Sequence, residues 1–426
     1  MPAPRNLLLV AYFYPPCRDT GALRPAAMAK WLRRLGHEVT VLTTSAYGPA
    51  GDPDVVQTAD AQRWRARLRG HDRVDALFDS DTYAGRPHTL SRVIVPEPLL
   101  AAWAPFARSR ALRLNRTRRF DCVITSSPPE SIHLVGRALR RRGVPWVADV
   151  RDGWTFEPLR PELPTALQRR LDERLERRWL GSADAVVCVS EPAARDLRDR
   201  GIADPILIPN GWDPELAPSE TGRQGESADT DAAQALLDPD RISLVYTGRF
   251  GSYGRDPKAL VEALGALARD NPEAAERLEL VIAGPLTAAE RELFAADVSP
   301  ARIAIAGSLS RDRALTLQRQ ADALLLLAQP TRTQLLNIKL FEYLAAHRPI
   351  LALAAGTEAG RVVTELGGAS VRADDPAAIR AALERLAAGA LEAPPANAAR
   401  AYVYPGPAEL MATAIDAATA RTGGRG

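Results

Sequence analysis

Apolar, β-branched runs alternate with longer stretches of helical period from one end of the chain to the other. Such runs read as strands buried on both faces and the amphipathic stretches as helices covering them, so the pattern predicts an α/β fold with parallel sheets. In the first half the strand candidates are LLLVAY from Leu7, EVTVLTT from Glu38, CVITSS from Cys122, PWVADV from Pro145, AVVCVS from Ala185 and ILIPN from Ile206. Helical stretches such as Ala22 to Leu35, Glu130 to Arg142 and Thr165 to Leu180 fall between them. The polar segment SETGRQGESADTDAAQ then reads as a flexible linker or long loop. The alternation restarts with SLVYTG from Ser243, LELVIAG from Leu278, RIAIAG from Arg302, ALLLLAQ from Ala323, PILALA from Pro349 and ASVRAD from Ala369, and continues to a helix over Pro376 to Gly389. Residues 50 to 120 lack a clean period; helices and loops are expected there, including an amphipathic piece around Leu99 to Leu114. Two doubly wound domains in tandem would place a cleft between them, with ligands at the carboxyl ends of the strands.

Composition narrows the class. With 426 residues, 46% hydrophobic and 25% charged, the chain is too apolar for disorder and too long for one ordinary core. No apolar run approaches a membrane span, and the start MPAPRNLLLVAYFYPP lacks the features of a signal peptide, so a soluble cytoplasmic protein is expected. Cys17, Cys122 and Cys188 lie far apart, which leaves neither a disulfide framework nor a thiolate zinc site. His37, His71, His88, His133 and His347 are equally scattered, and no protein metal site is expected. Residues 1 to 210 hold 33 Lys and Arg against 24 Asp and Glu, a net +9, whereas the remainder holds 22 against 28, a net −6. Arginines cluster at Arg63, Arg65, Arg67 and Arg69, at Arg108, Arg110, Arg113, Arg116, Arg118 and Arg119, and at Arg140, Arg141 and Arg142. Such a surface attracts anionic lipid, a phosphorylated acceptor or nucleic acid; equally, it is a solvated face in a chain whose only lysines are Lys30, Lys258 and Lys339.

The loop after the first strand, YFYPPCRDTGALRP, offers only Gly21 before its helix, and no G-x-x-x-x-G-K-[ST] occurs anywhere, so the dinucleotide and P-loop signatures are both missing. Gly21 allows close backbone approach to a ligand and the following helix's amino end favours an anion, unless the loop is an ordinary turn. TGRFGSYGRDP sets Arg249 and Arg255 in a loop opened by Gly248 and leading to a helix near Pro257, a composition suited to a diphosphate. Lys339 and Glu342 share one face of the helix in KLFEYLAAHRP, which Pro349 should end. ADVRDGW gathers Asp149, Arg151 and Asp152 after a strand; these serve an acceptor or form a structural salt bridge. Ser126 and Ser127 in TSSPP end another strand, as caps or ligands, and NGWD turns the chain into the interdomain connection.

Taken in order, YFYPP with Gly21 and Arg24, LRRLGHEVTVLTT, TSSPPESI, ADVRDGW, AVVCVSEPAARDL, IPNGWD, YTGRFGSYGRDP and NIKLFEYLAAHRPIL resemble the pattern of family 4 retaining glycosyltransferases of the GT-B fold, over nearly the whole chain. The resemblance implies two Rossmann-like domains facing a cleft: residues 1–208 for the acceptor, a linker over 209–240, residues 241–400 for the nucleotide sugar, and a final helix in 401–426 returning to the first domain. It implies hinges within 209–240 and near Tyr404. It also implies metal-independent transfer of a sugar, with retention, from a nucleoside-diphosphate sugar to a hydroxyl of a glycan, lipid-linked intermediate or small natural product, with no cofactor.

In that reading Arg249 and Arg255, the latter where lysine is more common, neutralise the diphosphate. Glu342 accepts from the ribose, Lys339 lies near the phosphates or the donor sugar, and Gly21 and Gly248 border the donor. The family's further glutamate is replaced by Gln334, so Gln334 or Asn337 would bind the sugar. Its histidine is replaced by Asp152, with Asp149 behind it; Arg24, Ser126 and Ser127 complete the acceptor side, and Asp152, Arg249 and Lys339 form the catalytic set. Peripheral membrane contact through the basic half is expected, and nucleic acid is not. A sugar-nucleotide epimerase of the same architecture and a non-catalytic nucleotide-sugar-binding partner are the rival readings.

Overall fold

Four large aliphatic side chains in a row stay out of water only in a sheet covered on both faces, and Leu7, Leu8, Leu9 and Val10 are fully buried in this way in strand β1 (Asn6–Ala11). Burial of each contributes roughly 1.5–3 kcal/mol. The computed structural model describes residues 4–17, 20–61, 103–156, 165–216, 236–250, 256–328, 336 and 338–423. The chain divides into two compact units, Met1–Asn210 with Pro405–Gly426, and Gly211–Tyr404.

In the first unit β1 is followed by α1 (Leu23–Arg34), β2 (Glu38–Thr44), β3 (Val55–Thr58), α2 (Ala104–Arg118), β4 (Cys122–Ser127), α3 (His133–Arg140), β5 (Trp146–Val150), α4 (Ala166–Leu180), β6 (Ala185–Cys188), α5 (Glu191–Asp199) and β7 (Ile206–Leu207). The strands lie in the order β3-β2-β1-β4-β5-β6-β7. All pairs are parallel, with Leu9 opposite Val41 on one side and Ile124 on the other. The chain steps outward from β1 to β3, then restarts at β4 on the other flank of β1. The loops after β1 and β4 therefore leave in opposite directions and open a crevice at their carboxyl ends, the usual ligand position of such sheets.

The second unit repeats this logic. Its order along the chain is β8 (Ile242–Thr247), α6 (Lys258–Asp270), α7 (Pro272–Glu276), β9 (Leu278–Ala283), α8 (Ala288–Phe294), β10 (Arg302–Gly307), α9 (Arg311–Gln320), β11 (Ala323–Leu327), α10 (Ile338–Ala346), β12 (Ile350–Leu353), α11 (Glu358–Glu365), β13 (Ala369–Val371) and α12 (Pro376–Ala387). The sheet order β10-β9-β8-β11-β12-β13 puts the switch point beside β8. Helix α10 stops before Pro349, with His347 in the left-handed region at φ 51°. The last helix, α13 (Gly406–Gly423), belongs to the first unit, where it packs on α1, β4, β5 and β6 and pairs Asp416 with Arg5 at 2.8 Å.

Three expectations change. Strand β3 lies where only helices and loops were expected, pairing Val41 with Val55 and Thr44 with Thr58. Its four residues VVQT form an edge strand that is only half-buried over Val55 to Gln57, so the sequence lacks the apolar run that marks the inner strands. The amphipathic piece placed at Leu99 to Leu114 is α2, which starts at Ala104 and runs on to Arg118. Of the segment assigned to a linker over 209–240, residues 209 and 210 fall in the first unit and the other described parts, 211–216 and 236–240, in the second, as do residues 401–404. There Trp212 donates its backbone N–H to the Tyr402 carbonyl at 2.8 Å and accepts from Tyr404 N–H at 2.9 Å. The arginines from Arg63 to Arg69 and the whole polar segment SETGRQGESADTDAAQ lie outside the described residues. Among the described residues no helix is long and apolar enough to cross a membrane.

Candidate functional site

At the carboxyl ends of β1, β4 and β5, Asp149 is buried and organises its surroundings. Arg24, on α1, donates to both of its oxygens, Nη2 to Oδ1 at 2.8 Å and Nε to Oδ2 at 3.2 Å, and Ser126 Oγ donates to Oδ2 at 2.8 Å. The remaining reach of Arg24 goes to the Pro209 carbonyl at 2.8 Å and Asn210 Oδ1 at 3.4 Å, tying the end of the first unit's chain to its first helix. Burial would push the Asp149 carboxyl up, but the Arg24 charge, the hydrogen bonds from Arg24 and Ser126, and the Arg151 charge together hold it below the ordinary carboxylate value. Arg151 in turn donates to the Ser127 carbonyl at 2.7 Å and to the Gly21 carbonyl, fixing the loop after β1 against the loop after β4. Asp152, half-buried, lies one residue further along.

Beneath this layer Trp146 Nε1 donates to Thr125 Oγ1 at 2.8 Å, and Thr125 Oγ1 lies 2.9 Å from His133 Nδ1. An indole N–H can only donate, so Thr125 accepts it, and its remaining lone pair or its own proton serves the contact with His133 Nδ1. Burial pushes the His133 imidazole down to about 3, and the nearby Asp149 charge offsets this only in part. This histidine is a neutral packing group under the site and not a general base.

In the second unit β8 ends at Gly248, whose φ of 136° is one that L side chains rarely adopt. The backbone is pinned there: Gly248 N–H bonds the Ala283 carbonyl at 2.9 Å, and a Cβ on Gly284 would lie 1.8 Å from the Gly248 oxygen. Tyr246, stacked on Phe250 at 4.1 Å, holds the Arg249 carbonyl through its hydroxyl at 2.7 Å and leaves the Arg249 side chain exposed. A Cβ on Gly248 would lie 3.6 Å from Lys339 Cε, so the Lys339 amine stands beside this loop. Glu342, one turn along α10, is buried yet surrounded by donors. Its Oε2 accepts from Lys339 Nζ at 2.9 Å and Gln318 Nε2 at 3.2 Å, and its Oε1 from Arg311 Nη2 at 3.4 Å. Gln318 also donates to Thr247 Oγ1 at 2.8 Å, joining the carboxylate to the end of β8.

The first unit's motifs converge, bound to one another. Arg24, Ser126 and Asp149 form a buried, mutually satisfied triad, and Ser127 is buried with its carbonyl held by Arg151. In the second unit Gly248, Arg249, Lys339 and Glu342 come together; Arg255, Gln334 and Asn337 lie outside the described residues. Arg311 and Gln318 were missed. The signal for Gln318 was its place among the apolar positions of α9, beside Leu315 and Leu317, where it is 1% exposed. Arg311 carried none.

A family model for a glycosyl transferase 4-like domain matches residues 21–211, and one for glycosyl transferases group 1 matches residues 241–388. The chain belongs to the family 4-like glycosyltransferases of the GT-B fold. Solved structures agree with that fold at low identity. Sucrose-phosphate synthase from Thermosynechococcus elongatus matches this glycosyltransferase at 17% identity, 99% of this chain, 98% of that one and a TM-score of 0.52. HepE from Anabaena in complex with UDP matches at 13%, 99%, 95% and 0.53. UDP-GlcNAc 2-epimerase from Neisseria meningitidis bound to UDP-GlcNAc matches at 14%, 96%, 99% and 0.54. No curated protein sequence matches the glycosyltransferase.

Proposed function

We propose that the glycosyltransferase moves a sugar from a nucleoside-diphosphate sugar to an acceptor hydroxyl with retention at the anomeric carbon and without a metal ion. The observation that carries this reading is the cluster at the end of β8, where Lys339 and Arg249 stand at a glycine loop beside a buried carboxylate rimmed by donors. Glu342 accepts from the ribose, and Lys339 and Arg249, joined by Arg255, carry the charge of the departing diphosphate. Gln334 or Asn337 holds the donor sugar. The anomeric carbon–oxygen bond to the phosphate breaks while the acceptor oxygen bonds the same face, and the acceptor's proton passes to the leaving phosphate oxygen. The protein then supplies position and charge more than basicity.

On the acceptor side Asp152 orients the hydroxyl. Arg24, Ser126 and Asp149 shape that side from behind, because the Asp149 oxygens already accept from Arg24 and Ser126. The acceptor is a glycan, a lipid-linked intermediate or a natural product. Peripheral contact with anionic membrane through α2 belongs to the same proposal: Arg108, Arg113, Arg116, Arg118 and Arg119 are exposed, with no acidic residue from 104 to 119.

The test is incubation with UDP-, GDP-, dTDP- and ADP-sugars and an acceptor panel, with and without EDTA. Release of the nucleoside diphosphate only when acceptor is present, with retained stereochemistry by NMR, undiminished by EDTA and lost in Lys339→Ala and Glu342→Ala, supports the reading. An altered sugar nucleotide without acceptor, or bound donor with no turnover across the panel, refutes it.

A further inference from the structure

The two oxygens of the Glu342 carboxylate are unequally occupied. Oε2 accepts two hydrogen bonds, at 2.9 Å from Lys339 and 3.2 Å from Gln318, whereas Oε1 has a single long one, 3.4 Å from Arg311. Arg311 opens α9 with its side chain half-exposed, and its guanidinium lies over the buried Trp212 ring, 5.3 Å from the centroid. Lys339 and Arg311 therefore approach the carboxylate through different oxygens, and Lys339 borders Gly248.

This asymmetry orients a nucleoside, on the reading of the cluster as a nucleoside-diphosphate site. The ribose hydroxyls take the weakly occupied Oε1, and the 5′-diphosphate extends toward Lys339 and Arg249. The substituent at the other end of the ribose, the base, then leaves on the side of Arg311. A guanidinium has five N–H donors and no acceptor, so it bonds the carbonyl oxygens of uracil and forks onto the adjacent O6 and N7 of guanine, whereas on adenine the N6 amine stands beside both N1 and N7 and meets the second arm of the fork as a donor. The Trp212 ring keeps the guanidinium plane in place by cation–π contact while Oε1 is surrendered. We propose that Arg311 selects the nucleobase of the donor, favouring uracil or guanine over adenine. Discrimination of this kind is large where a site is built to hydrogen-bond a group that the competitor lacks.

The experiment is calorimetric titration of the full chain and of Arg311→Ala and Arg311→Gln with UDP, GDP, ADP and inorganic pyrophosphate. The expected result is UDP or GDP bound at least about tenfold more tightly than ADP by the unaltered protein, the ratio falling to within about threefold in both variants, and pyrophosphate affinity changing by less than about threefold. A ratio preserved in the variants, a preference for ADP in the unaltered protein, or a loss of pyrophosphate affinity equal to the loss for UDP overturns the assignment and leaves the donor site standing. Failure of the unaltered protein to bind any nucleoside diphosphate overturns the donor-site reading itself, and the assignment with it. Arg311→Gln decides the matter should Arg311→Ala fold poorly.

Discussion

His133 is fully buried between Thr125, Trp146 and Trp154, with Nδ1 hydrogen-bonded to Thr125 and Nε2 without a partner. Protonation would place a charge where burial excludes water, which is why the folded imidazole is pushed down to about 3 against an ordinary 6.5, the Asp149 charge offsetting this only in part. The unfolded chain binds this proton below pH 6.5 and the folded chain does not, so stability is complete above pH 6.5 and falls as pH drops toward 3. The full difference is about 5 kcal/mol, of which roughly 3 kcal/mol is lost by pH 4.5. His133→Gln keeps an acceptor for Thr125 and removes the titration. Urea unfolding followed by tryptophan fluorescence at pH 7.5 and 4.5 should show the unaltered protein losing roughly 3 kcal/mol more than the variant across this interval. Other titrating groups, including the depressed Asp149 carboxyl and His37, cancel in the comparison. Equal losses in the two proteins would show that His133 is not held neutral.

Asp149→Asn leaves Arg24 as an uncompensated buried charge and should cost about 3–5 kcal/mol in unfolding free energy, whereas Arg24→Met with Asp149→Leu should recover most of that loss by the same urea titration. Gly284→Ala drives a methyl into the Gly248 carbonyl, with an expected cost of about 1–3 kcal/mol by thermal melting. Because the displaced carbonyl belongs to the loop beside Lys339, the melting shift given by nucleoside diphosphates should shrink in the same variant. Arg113→Glu with Arg116→Glu should abolish co-sedimentation with vesicles containing phosphatidylglycerol and leave the melting temperature unchanged, since both side chains are exposed. Binding unaffected by this double reversal would remove membrane contact from the proposal.

The inner strands were legible because burial on both faces writes an uninterrupted apolar run, as in LLLVA of β1 or ALLLL of β11. The edge strand β3 was not, because half-burial dilutes that signal to VVQT. The pairing within α10 was readable for a local reason: Lys339 and Glu342 meet at i, i+3 on one helix. Arg311 and Gln318 reach the same carboxylate from 31 and 24 residues away, and no local period records such a meeting. A similar limit applied to Arg24 and Asp149, separated by 125 residues. Sequence showed a charged residue near each of two strand ends, and only the folded geometry showed that each is the other's partner.

In chain terms the second unit is an insertion between Asn210 and Pro405, since the final helix completes the first sheet's covering. The two ends of the insertion lie side by side, joined by the backbone bonds of Trp212 with Tyr402 and Tyr404. A single scission at 210/211 would leave α13, with its Asp416 pair to Arg5, tethered to the second unit and no longer to the sheet it covers. Paired scissions, at 210/211 and 404/405, instead excise a module whose termini are already neighbours. A chimaera that exchanges the second unit with that of a relative should therefore be joined at both boundaries, because one joined at a single boundary would carry a final helix foreign to its first sheet.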